Sequence, residues 1–203
     1  MVQIKICGIT REEEISIINT LPIHYIGFVF AQSKRKIQPQ KALRFQQQLQ
    51  PHIQKVGIFM DQPISQVKEI ARYCKLDIIQ LHGKESDSYC KAFHLPIWKS
   101  FTIKERADIA KIKNEIQKTY IHIEGILLDS RYGGSGTTFE WEWIKREAWS
   151  RKLILAGGLK KENVKKAISI VRPQIIDVSS GVEEEGVKSP RKIKEFVEVV
   201  INE

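Results

Sequence analysis

The sequence has 203 residues and a formal net charge of +9, and 42% of its residues are apolar and 28% charged. These proportions are far from those of disordered and membrane proteins, and the length favours one domain, residues 1–203, around one core. No apolar run approaches the roughly 18 residues that span a bilayer, and Met1–Thr10 lacks the apolar stretch of a signal peptide, which predicts a cytoplasmic protein.

Short apolar runs bounded by turn residues alternate with segments of helical spacing along the whole chain. This alternation is typical of parallel strands joined by crossover helices. The predicted strands are Val2–Ile6, Tyr25–Phe30, Lys55–Met60, Asp77–Leu81, Ile97–Phe101, Gly125–Asp129, Lys152–Ala156 and Ile175–Ser179. We expect a helix after each strand.

Several helix starts carry recognisable signals. Thr10–Glu13 matches a capping box, Pro39 lies near a start, and Ser189-Pro190 fits an N-cap followed by the first helical residue. The sixth helix, predicted over Phe139–Trp149, has the weakest pattern. Eight βα units of about 25 residues each predict an α/β fold, a single (β/α)8 TIM barrel with short loops. A doubly wound sheet is the alternative, but the turn Cys7–Thr10 lacks its GxGxxG fingerprint.

The three cysteines, Cys7, Cys74 and Cys90, have neither the spacing of a zinc site nor the even count of a disulfide framework. We expect three free thiols and no metal. Cys74 and Cys90 fall in helical stripes, which predicts that they are small buried hydrophobic residues.

The positive charge by itself fits a nucleic acid, an anionic membrane surface or an anionic small substrate. The basic clusters Lys160–Lys166 and Lys188–Lys194 interleave with apolar residues at helical spacing, which predicts solvated helix faces. Because no aromatic-basic groove pattern accompanies them, we expect no nucleic-acid partner. We also expect no membrane partner. Nucleic-acid binding is kept as the alternative from another functional class, and it predicts salt-dependent binding without turnover.

Polar and glycine residues follow several predicted strands, at the end of a barrel where active sites lie. These strand ends are Cys7-Gly8, Gln80–Gly83, Asp129-Ser130, Ala156–Gly158 and Asp177–Gly181. Small residues after strands 7 and 8, namely Gly157, Gly158, Ser180 and Gly181, predict a substrate phosphate held by backbone N–H groups and a helix N-terminus. The simpler interpretation is that they only form tight turns.

A second glycine-rich segment, Gly133–Thr137, follows the sixth strand. It is typical of a mobile lid or of an additional phosphate contact through Gly134, Ser135 and Gly136, and a plain flexible loop is the alternative.

Taken together, these motifs resemble those of the phosphoribosylanthranilate isomerase family of tryptophan biosynthesis, over almost the whole chain. The matching segments are Lys5–Thr10, Gly27–Phe30 with Ser33–Arg35, Gln80–Gly83, Leu128-Asp129, Gly133–Thr137, Gly157–Leu159 and Asp177–Glu183. The resemblance implies an aldose-ketose isomerase, an intramolecular oxidoreductase that performs an Amadori rearrangement on a phosphosugar without metal or redox cofactor. It leaves both a monomer and a homodimer open.

The rearrangement needs an acid to protonate the ribose ring oxygen and a base to remove the C2 proton. The resemblance makes Asp129 the general acid and Cys7 the general base. Arg35 is the expected partner of the anthranilate carboxylate, because a guanidinium matches two carboxylate oxygens in a fork, and Lys34 is expected to be solvated. His82 either lines the site or bonds a neighbouring loop, and Asp177 either binds substrate hydroxyls or balances an inward lysine.

Related phosphate-binding barrels, such as indole-glycerol-phosphate synthase and the histidine-pathway aminosugar isomerase, share the turns after strands 7 and 8, but the pair Cys7 and Asp129 argues against both. Local departures from the family pattern are a short Asp129–Gly133 stretch, Glu140 where Asp is common, and a variant Glu183–Ser189 loop. They put the dynamics of the lid in doubt and leave the reaction unchanged.

An unperturbed thiol is mostly protonated at neutral pH, so a base at Cys7 requires something that lowers its pKa. Lys5 lies two residues earlier on the same strand and shares its face. We therefore expect Lys5 to point into the barrel, to pair with Asp177 on the neighbouring eighth strand, and to favour the Cys7 thiolate. The alternative is a purely structural ion pair.

Overall fold

The computed structural model describes residues 2–130, 138–145 and 147–202. Eight parallel strands close into a barrel in chain order, and the first strand pairs with the eighth. The strands are β1 (Gln3–Cys7), β2 (Tyr25–Val29), β3 (Gln54–Phe59), β4 (Ile78–Leu81), β5 (Ile97–Ile103), β6 (Gly125–Ser130), β7 (Lys152–Leu155) and β8 (Ile175–Val178). The predicted (β/α)8 barrel is confirmed, with strand ends that differ from the prediction by at most two residues.

Helices pack around the outside of this barrel between successive strands. They are α1 (Glu12–Ile18), α2 (Pro39–Gln46), α3 (Ile64–Tyr73), α4 (Asp87–Cys90), α5 (Ala107–Lys118), α6 (Val164–Val171) and α7 (Pro190–Ile201). No helix in the described ranges combines the length and apolar character needed to cross a membrane.

The sixth crossover differs from the prediction. Instead of a helix over Phe139–Trp149, the described part of this segment forms a 3-10 turn, Trp141–Ile144. Trp141 and Ile144 are its buried residues. Side chains three residues apart lie on the same side of a 3-10 turn, so this short turn already buries both.

Two of the predicted helix starts are confirmed, and one is shifted. Ser189 caps α7 by accepting the N–H of Lys192, with Pro190 as its first residue, and α2 begins at Pro39. At α1 the capping carboxylate belongs to Glu14 rather than Glu13, since its Oε2 accepts the N–H groups of Thr10 and Arg11 at 2.6 and 3.1 Å.

The core has two layers. The larger one lies between the strands and the helices and contains Cys74 and Cys90, which are buried free thiols as predicted. The smaller one fills the inside of the barrel, where Trp98 is the largest side chain. Because this inner layer closes the barrel below the strand ends, a small molecule has access to the inward-facing polar groups only from the carboxyl end.

After β8 the chain forms a 3-10 turn (Ser180–Val182) and a small hairpin of β9 (Glu183–Glu184) and β10 (Val187–Lys188). Glu185 and Gly186 connect its strands with φ of 50° and 79°. Positive φ at both central residues is typical of a type I′ turn, whose twist matches that of a two-residue hairpin. The hairpin carries Glu183 and Lys188 back toward the barrel mouth.

The basic cluster Lys160–Lys166 is exposed at each of its lysines, as predicted. In the cluster Lys188–Lys194, however, Lys188 is buried, with a relative exposure of 4%. The prediction of a solvated face is wrong for this residue because β10 turns its side chain toward the acceptors of the barrel mouth.

Candidate active site

A cavity of about 270 Å³ opens at the carboxyl ends of the strands. Among the described residues that line it are the predicted site residues Cys7, Arg35, His82, Asp129, Gly157 and Asp177. Gly158 and Ser180 also line this cavity, and Gly181 lies beside Gly158 and Ser180 in an adjoining cleft. The barrel therefore brings together predicted residues from six strands or the loops that follow them, after or within β1, β2, β4, β6, β7 and β8.

Cys7 is the last residue of β1, a half-buried residue with a free thiol. Its partner across the sheet is Gly27 on β2. A Cβ atom at Gly27 would lie 2.8 Å from the Cys7 Sγ atom, closer than real contacts allow. Gly27 thus leaves the space that the thiol occupies.

Lys5 lies inside the barrel with no solvent exposure, and its Nζ atom lies 2.7 Å from Oδ2 of Asp177. The predicted inward lysine and its partner are confirmed. Burial lowers the pKa of Lys5, but the carboxylate of Asp177 and the neighbouring Cys7 outweigh it, and the pKa is raised above the ordinary value. Lys5 is therefore a fixed positive charge beneath the cavity.

The prediction that the surroundings lower the pKa of Cys7 is wrong, because the sum of all influences raises it. Burial raises the pKa of the thiol above its usual value, and the charge of Asp177 raises it further. Lys5 and Lys188 lower it, as two nearby cations must, but they do not outweigh burial. Lys5 acts in the predicted direction, and the desolvation of a buried thiolate is the larger influence.

Asp129 lies near the end of β6 and is 7% exposed. Burial raises the pKa of its carboxyl to about 6, and the charge of Asp177 adds to this effect. The backbone N–H of Ser130, 2.7 Å from Oδ1, and the charge of Lys5 oppose it. A carboxyl with a pKa near neutrality can hold and release a proton under physiological conditions.

His82 lies beside this carboxyl. Its Nε2 atom is 3.7 Å from Oδ2 of Asp129 and 3.3 Å from Oγ of Ser100 on β5. Burial lowers the pKa of His82, and the nearby cation Lys5 lowers it further. His82 is therefore neutral at neutral pH, and it lines the cavity beside Asp129 and Ser100 instead of bonding a neighbouring loop.

Arg35 lies in the loop after β2, while Lys34 next to it is exposed, as expected. The guanidinium forms two bonds to Glu183, from Nε to Oε1 at 2.6 Å and from Nη2 to Oε2 at 2.8 Å. These bonds raise the pKa of Arg35, and they help to hold the pKa of Glu183 below its usual value despite burial.

The turns after β7 and β8 contact each other. Gly157 and Gly158 have φ of 83° and 65°, which glycine adopts without strain. A Cβ atom at Gly157 would lie 2.8 Å from Oδ1 of Asp129, and one at Gly181 would lie 1.9 Å from the backbone oxygen of Leu159. These glycines therefore allow close backbone packing around Asp129 and between the two turns.

The predicted contacts Gly134, Ser135 and Gly136, together with the rest of the predicted lid Gly133–Thr137, lie outside the described residues. Across the ranges that are described, no group of three or more His, Cys, Asp or Glu side chains is placed to hold a metal ion.

Sequence reasoning gave no role to Glu183 or Lys188. Lys188 donates to Glu183 and, at 3.3 Å, to both the backbone oxygen and Oγ of Ser179, whose hydroxyl in turn bonds the backbone oxygen of Cys7 at 3.0 Å. Glu183 closes the Asp177–Glu183 motif, which is a signal that could have pointed to it. Lys188 has no comparable signal, since only the hairpin turns it inward.

Comparison with known proteins gives a consistent result. The model of the family described as N-(5'phosphoribosyl)anthranilate (PRA) isomerase matches residues 4–199. An N-(5'-phosphoribosyl)anthranilate isomerase from Thermoanaerobacter sp. (strain X514) is 42% identical over 201 residues, which cover 98% of each chain.

Solved structures agree. The mutually generated monomers of the dimeric phosphoribosylanthranilate isomerase from Thermotoga maritima superpose with a TM-score of 0.87 at 36% identity, covering 100% of both chains. A phosphoribosyl anthranilate isomerase in complex with reduced 1-(o-carboxyphenylamino)-1-deoxyribulose 5-phosphate gives 0.87 at 35% identity, again over 100% of both chains. The chain therefore belongs to the phosphoribosylanthranilate isomerase family.

Proposed function

We infer that this protein is a phosphoribosylanthranilate isomerase that converts N-(5-phosphoribosyl)anthranilate into 1-(2-carboxyphenylamino)-1-deoxyribulose 5-phosphate in tryptophan biosynthesis. The observation that carries the proposal is the single cavity that Cys7 and Asp129 line together with Arg35 and the glycine turns after β7 and β8. Family membership and a related enzyme in complex with a reduced form of this product support the same reaction.

In the proposed mechanism Asp129 donates a proton to the ring oxygen while the bond between that oxygen and C1 breaks, leaving a protonated Schiff base between C1 and the aryl nitrogen. The Cys7 thiolate then removes the proton from C2, and the electron pair of that bond forms the C1–C2 double bond as the nitrogen is neutralised. The resulting enaminol becomes the ketone when C1 gains a proton and the C2 hydroxyl loses one. The raised pKa of Asp129, about 6, suits a proton donor.

The remaining residues are proposed to bind the substrate. Gly157, Gly158, Ser180 and Gly181 hold the phosphate, joined by Gly134, Ser135 and Gly136 after β6, and Arg35 binds the anthranilate carboxylate. His82 lines the sugar site next to Asp129. Oδ2 of Asp177 forms an ion pair with Lys5. Its buried Oδ1 has no hydrogen-bond partner within the described part of the chain. That free acceptor supports a contact with a substrate hydroxyl.

We further propose that residues 1–203 act as one cytoplasmic catalytic domain without a cofactor, because the proposed steps use only an acid and a base. The proposed partner is the small phosphosugar substrate, with no nucleic acid or membrane. A monomer and a homodimer are both compatible with a cavity built from one chain, and the Thermotoga protein is described in both forms.

The test is turnover of freshly prepared phosphoribosylanthranilate by the purified protein, followed by the loss of anthranilate-type fluorescence. Competitive inhibition by inorganic phosphate is expected, since the substrate's phosphate anchors it. Salt-dependent DNA or RNA binding with no turnover would replace the enzyme proposal by the nucleic-acid alternative.

Gly181→Ala is expected to raise KM by about 10- to 100-fold, because its Cβ meets the Leu159 backbone oxygen at 1.9 Å and forces the phosphate turns apart, and a shift of about 1 Å can cost 10²-fold. Ser169→Ala is the control, since Ser169 is exposed on α6 and its hydroxyl bonds the backbone oxygen of Lys166 in the same helix. Initial rates over a range of substrate concentrations measure both variants. Equal KM values for the two would place the phosphate elsewhere.

Lys5→Met is expected to shift the alkylation of Cys7 to higher pH, because the cation that lowers the pKa of the thiol is removed. Adding Asp177→Asn removes a charge that raises the pKa of Cys7. The pH at which Cys7 is alkylated in the double variant should therefore lie between those of the parent and of Lys5→Met. Rates of iodoacetamide reaction against pH, with circular dichroism to confirm folding, measure this. An unchanged profile in a folded Lys5→Met protein would make the ion pair purely structural.

A further inference from the structure

The contact between Arg35 and Glu183 uses one particular edge of the guanidinium. Glu183 accepts from Nε and Nη2, which form the side edge of the planar group. Nη1 and the second hydrogen of Nη2 form the other edge, which we call the end edge. Among the residues that the structure describes, none accepts a hydrogen bond from Nη1, and Arg35 lines the cavity that holds Cys7 and Asp129. A second carboxylate can therefore bind the end edge with two parallel bonds.

The arginine stem is held at a fixed place as well. A Cβ atom at Gly8 would lie 2.5 Å from Cδ of Arg35, so the stem lies directly across Gly8, next to Cys7. Gly8 also has a φ of 82°, a conformation that favours glycine. The guanidinium is thereby set at the rim beside the proposed base.

Glu183 is anchored independently of Arg35. Lys188, which is buried, donates to its carboxylate and also to Ser179 at the end of β8. Lys192 donates to the backbone oxygen of Glu183 at 2.8 Å. The carboxylate is thus a fixed anchor for the guanidinium rather than a mobile side chain that follows it.

The charges of this group leave a positive excess. One carboxylate, Glu183, lies between the cations of Arg35 and Lys188. The side chain of Arg35 is 21% exposed and that of Lys188 is 1% exposed, so the uncompensated charge is offered to the cavity through Arg35. An anionic group on the substrate is attracted to this edge.

We propose that Glu183 is a positioning residue that aims the end edge of Arg35 at the substrate's carboxylate, and that it thereby sets a preference for substrates with an ortho-carboxylate on the aromatic ring. The inference rests on the proposed function, since that function supplies the carboxylate. Without Glu183 the guanidinium keeps its charge but has no fixed direction, and a two-point contact depends on direction.

The experiment measures ligand binding and therefore needs no turnover. Two probes are compared by calorimetry, reduced 1-(o-carboxyphenylamino)-1-deoxyribulose 5-phosphate and the same compound made from aniline, which lacks the carboxylate. The parent protein is expected to bind the first more tightly. Glu183→Gln is expected to raise its Kd by about 10- to 100-fold, the range for hydrogen bonds to charged groups, and to change the Kd of the aniline probe by less than about twofold.

Glu184→Gln is the matched control. Glu184 precedes the same hairpin turn but is exposed and pairs with Arg191, at 2.5 Å. Both Kd values should stay at the parent level. Glu183→Asp keeps the negative charge but moves the carboxylate back by one methylene group, so a smaller loss of preference than in Glu183→Gln is expected. This variant replaces Glu183→Gln in the experiment if Glu183→Gln does not fold. Arg35→Met should abolish the preference, and adding Glu183→Gln to it should lower the ratio of the Kd values no further.

Equal weakening of both probes in Glu183→Gln would show that Glu183 only supports the fold, and an unchanged ratio would show that Arg35 needs no anchor. Either result overturns the inference, and so does a parent protein with no preference between the probes. Turnover of phosphoribosylanthranilate by the parent decides the proposed function separately. A parent that prefers the carboxylated probe but does not turn over would retain the inference and reject the proposed reaction.

Discussion

We expect Asp129→Asn to lower kcat by about 100-fold or more, the range for removal of a general acid. Asparagine has nearly the same shape and can still accept the N–H of Ser130, but it has no proton to give to the ring oxygen. The fold and the phosphate turns should persist, because Gly157 packs against Asp129 by shape rather than by charge. Calorimetry with the reduced product analogue should therefore give a Kd close to that of the parent, while kcat falls.

The pH dependence gives this variant a second test. The reaction needs Asp129 protonated and Cys7 as thiolate, yet the pKa of Asp129 is about 6 and that of Cys7 is raised. Between these values a rise in pH lowers the protonated fraction of the acid and raises the thiolate fraction by the same factor, so kcat/KM is level. Below about pH 6 Asp129 is fully protonated and only the loss of thiolate remains, so kcat/KM falls about tenfold per pH unit.

In Asp129→Asn the level region should disappear, and the residual kcat/KM should rise with pH until Cys7 has titrated. Near-normal turnover, or an acidic limb at the same pH as in the parent, would remove Asp129 from the role of general acid. Above the pKa of Cys7 the parent loses activity because Asp129 continues to lose its proton, and this variant should not.

The second large effect is expected for Cys7→Ser, which should lower kcat by about 10²- to 10⁴-fold, the contribution of a positioned general base. A serine hydroxyl is a far weaker acid than a thiol, so no useful fraction of it is deprotonated at neutral pH. The space left by Gly27 accepts the smaller oxygen without strain, so folding should be unaffected.

Cys74→Ser is the matched control for this loss. Cys74 is buried in the layer between strands and helices and does not line the cavity. Its thiol donates to the backbone oxygen of Pro39 at 3.4 Å, and a hydroxyl can make the same bond. The variant should keep the kcat of the parent. If Cys7→Ser and Cys74→Ser lost activity equally, the effect at Cys7 would reflect packing rather than proton removal.

In the parent the acid, Asp129, has a lower pKa than the base, Cys7, and this order also limits the rate. The pKa of Cys7 is raised above that of an ordinary thiol, which itself lies above the value of about 6 for Asp129, so only a small fraction of the molecules carries both groups in the required state. Lys5 and Lys188 limit this loss, since both lower the pKa of Cys7. This is why a change at Lys5 should alter the height of the level region and move its basic limb.

The sequence predicted the barrel because its signals are local and repeated. Each strand is a short apolar run ended by a turn residue, and the alternation with helical stripes leaves few other arrangements. The prediction of a helix in the sixth crossover was wrong because it also relied on local spacing. Trp141 and Ile144 have helical spacing, but a single 3-10 turn buries them. Periodicity reports which side chains are buried and does not report how many turns are needed to bury them.

The sequence by itself determined the residues at each strand end, and with strand order it also determined the pair of Lys5 and Asp177, because β1 and β8 must be neighbours once eight strands close. Only the tertiary structure decided the electrostatics of the mouth. Burial, which depends on every surrounding atom, raises the pKa of Cys7 where a count of neighbouring charges predicted a decrease. The hairpin after β8 places Glu183 and Lys188 against Arg35 and Ser179, across 148 positions of sequence in the case of Arg35, and no local pattern encodes such a distance.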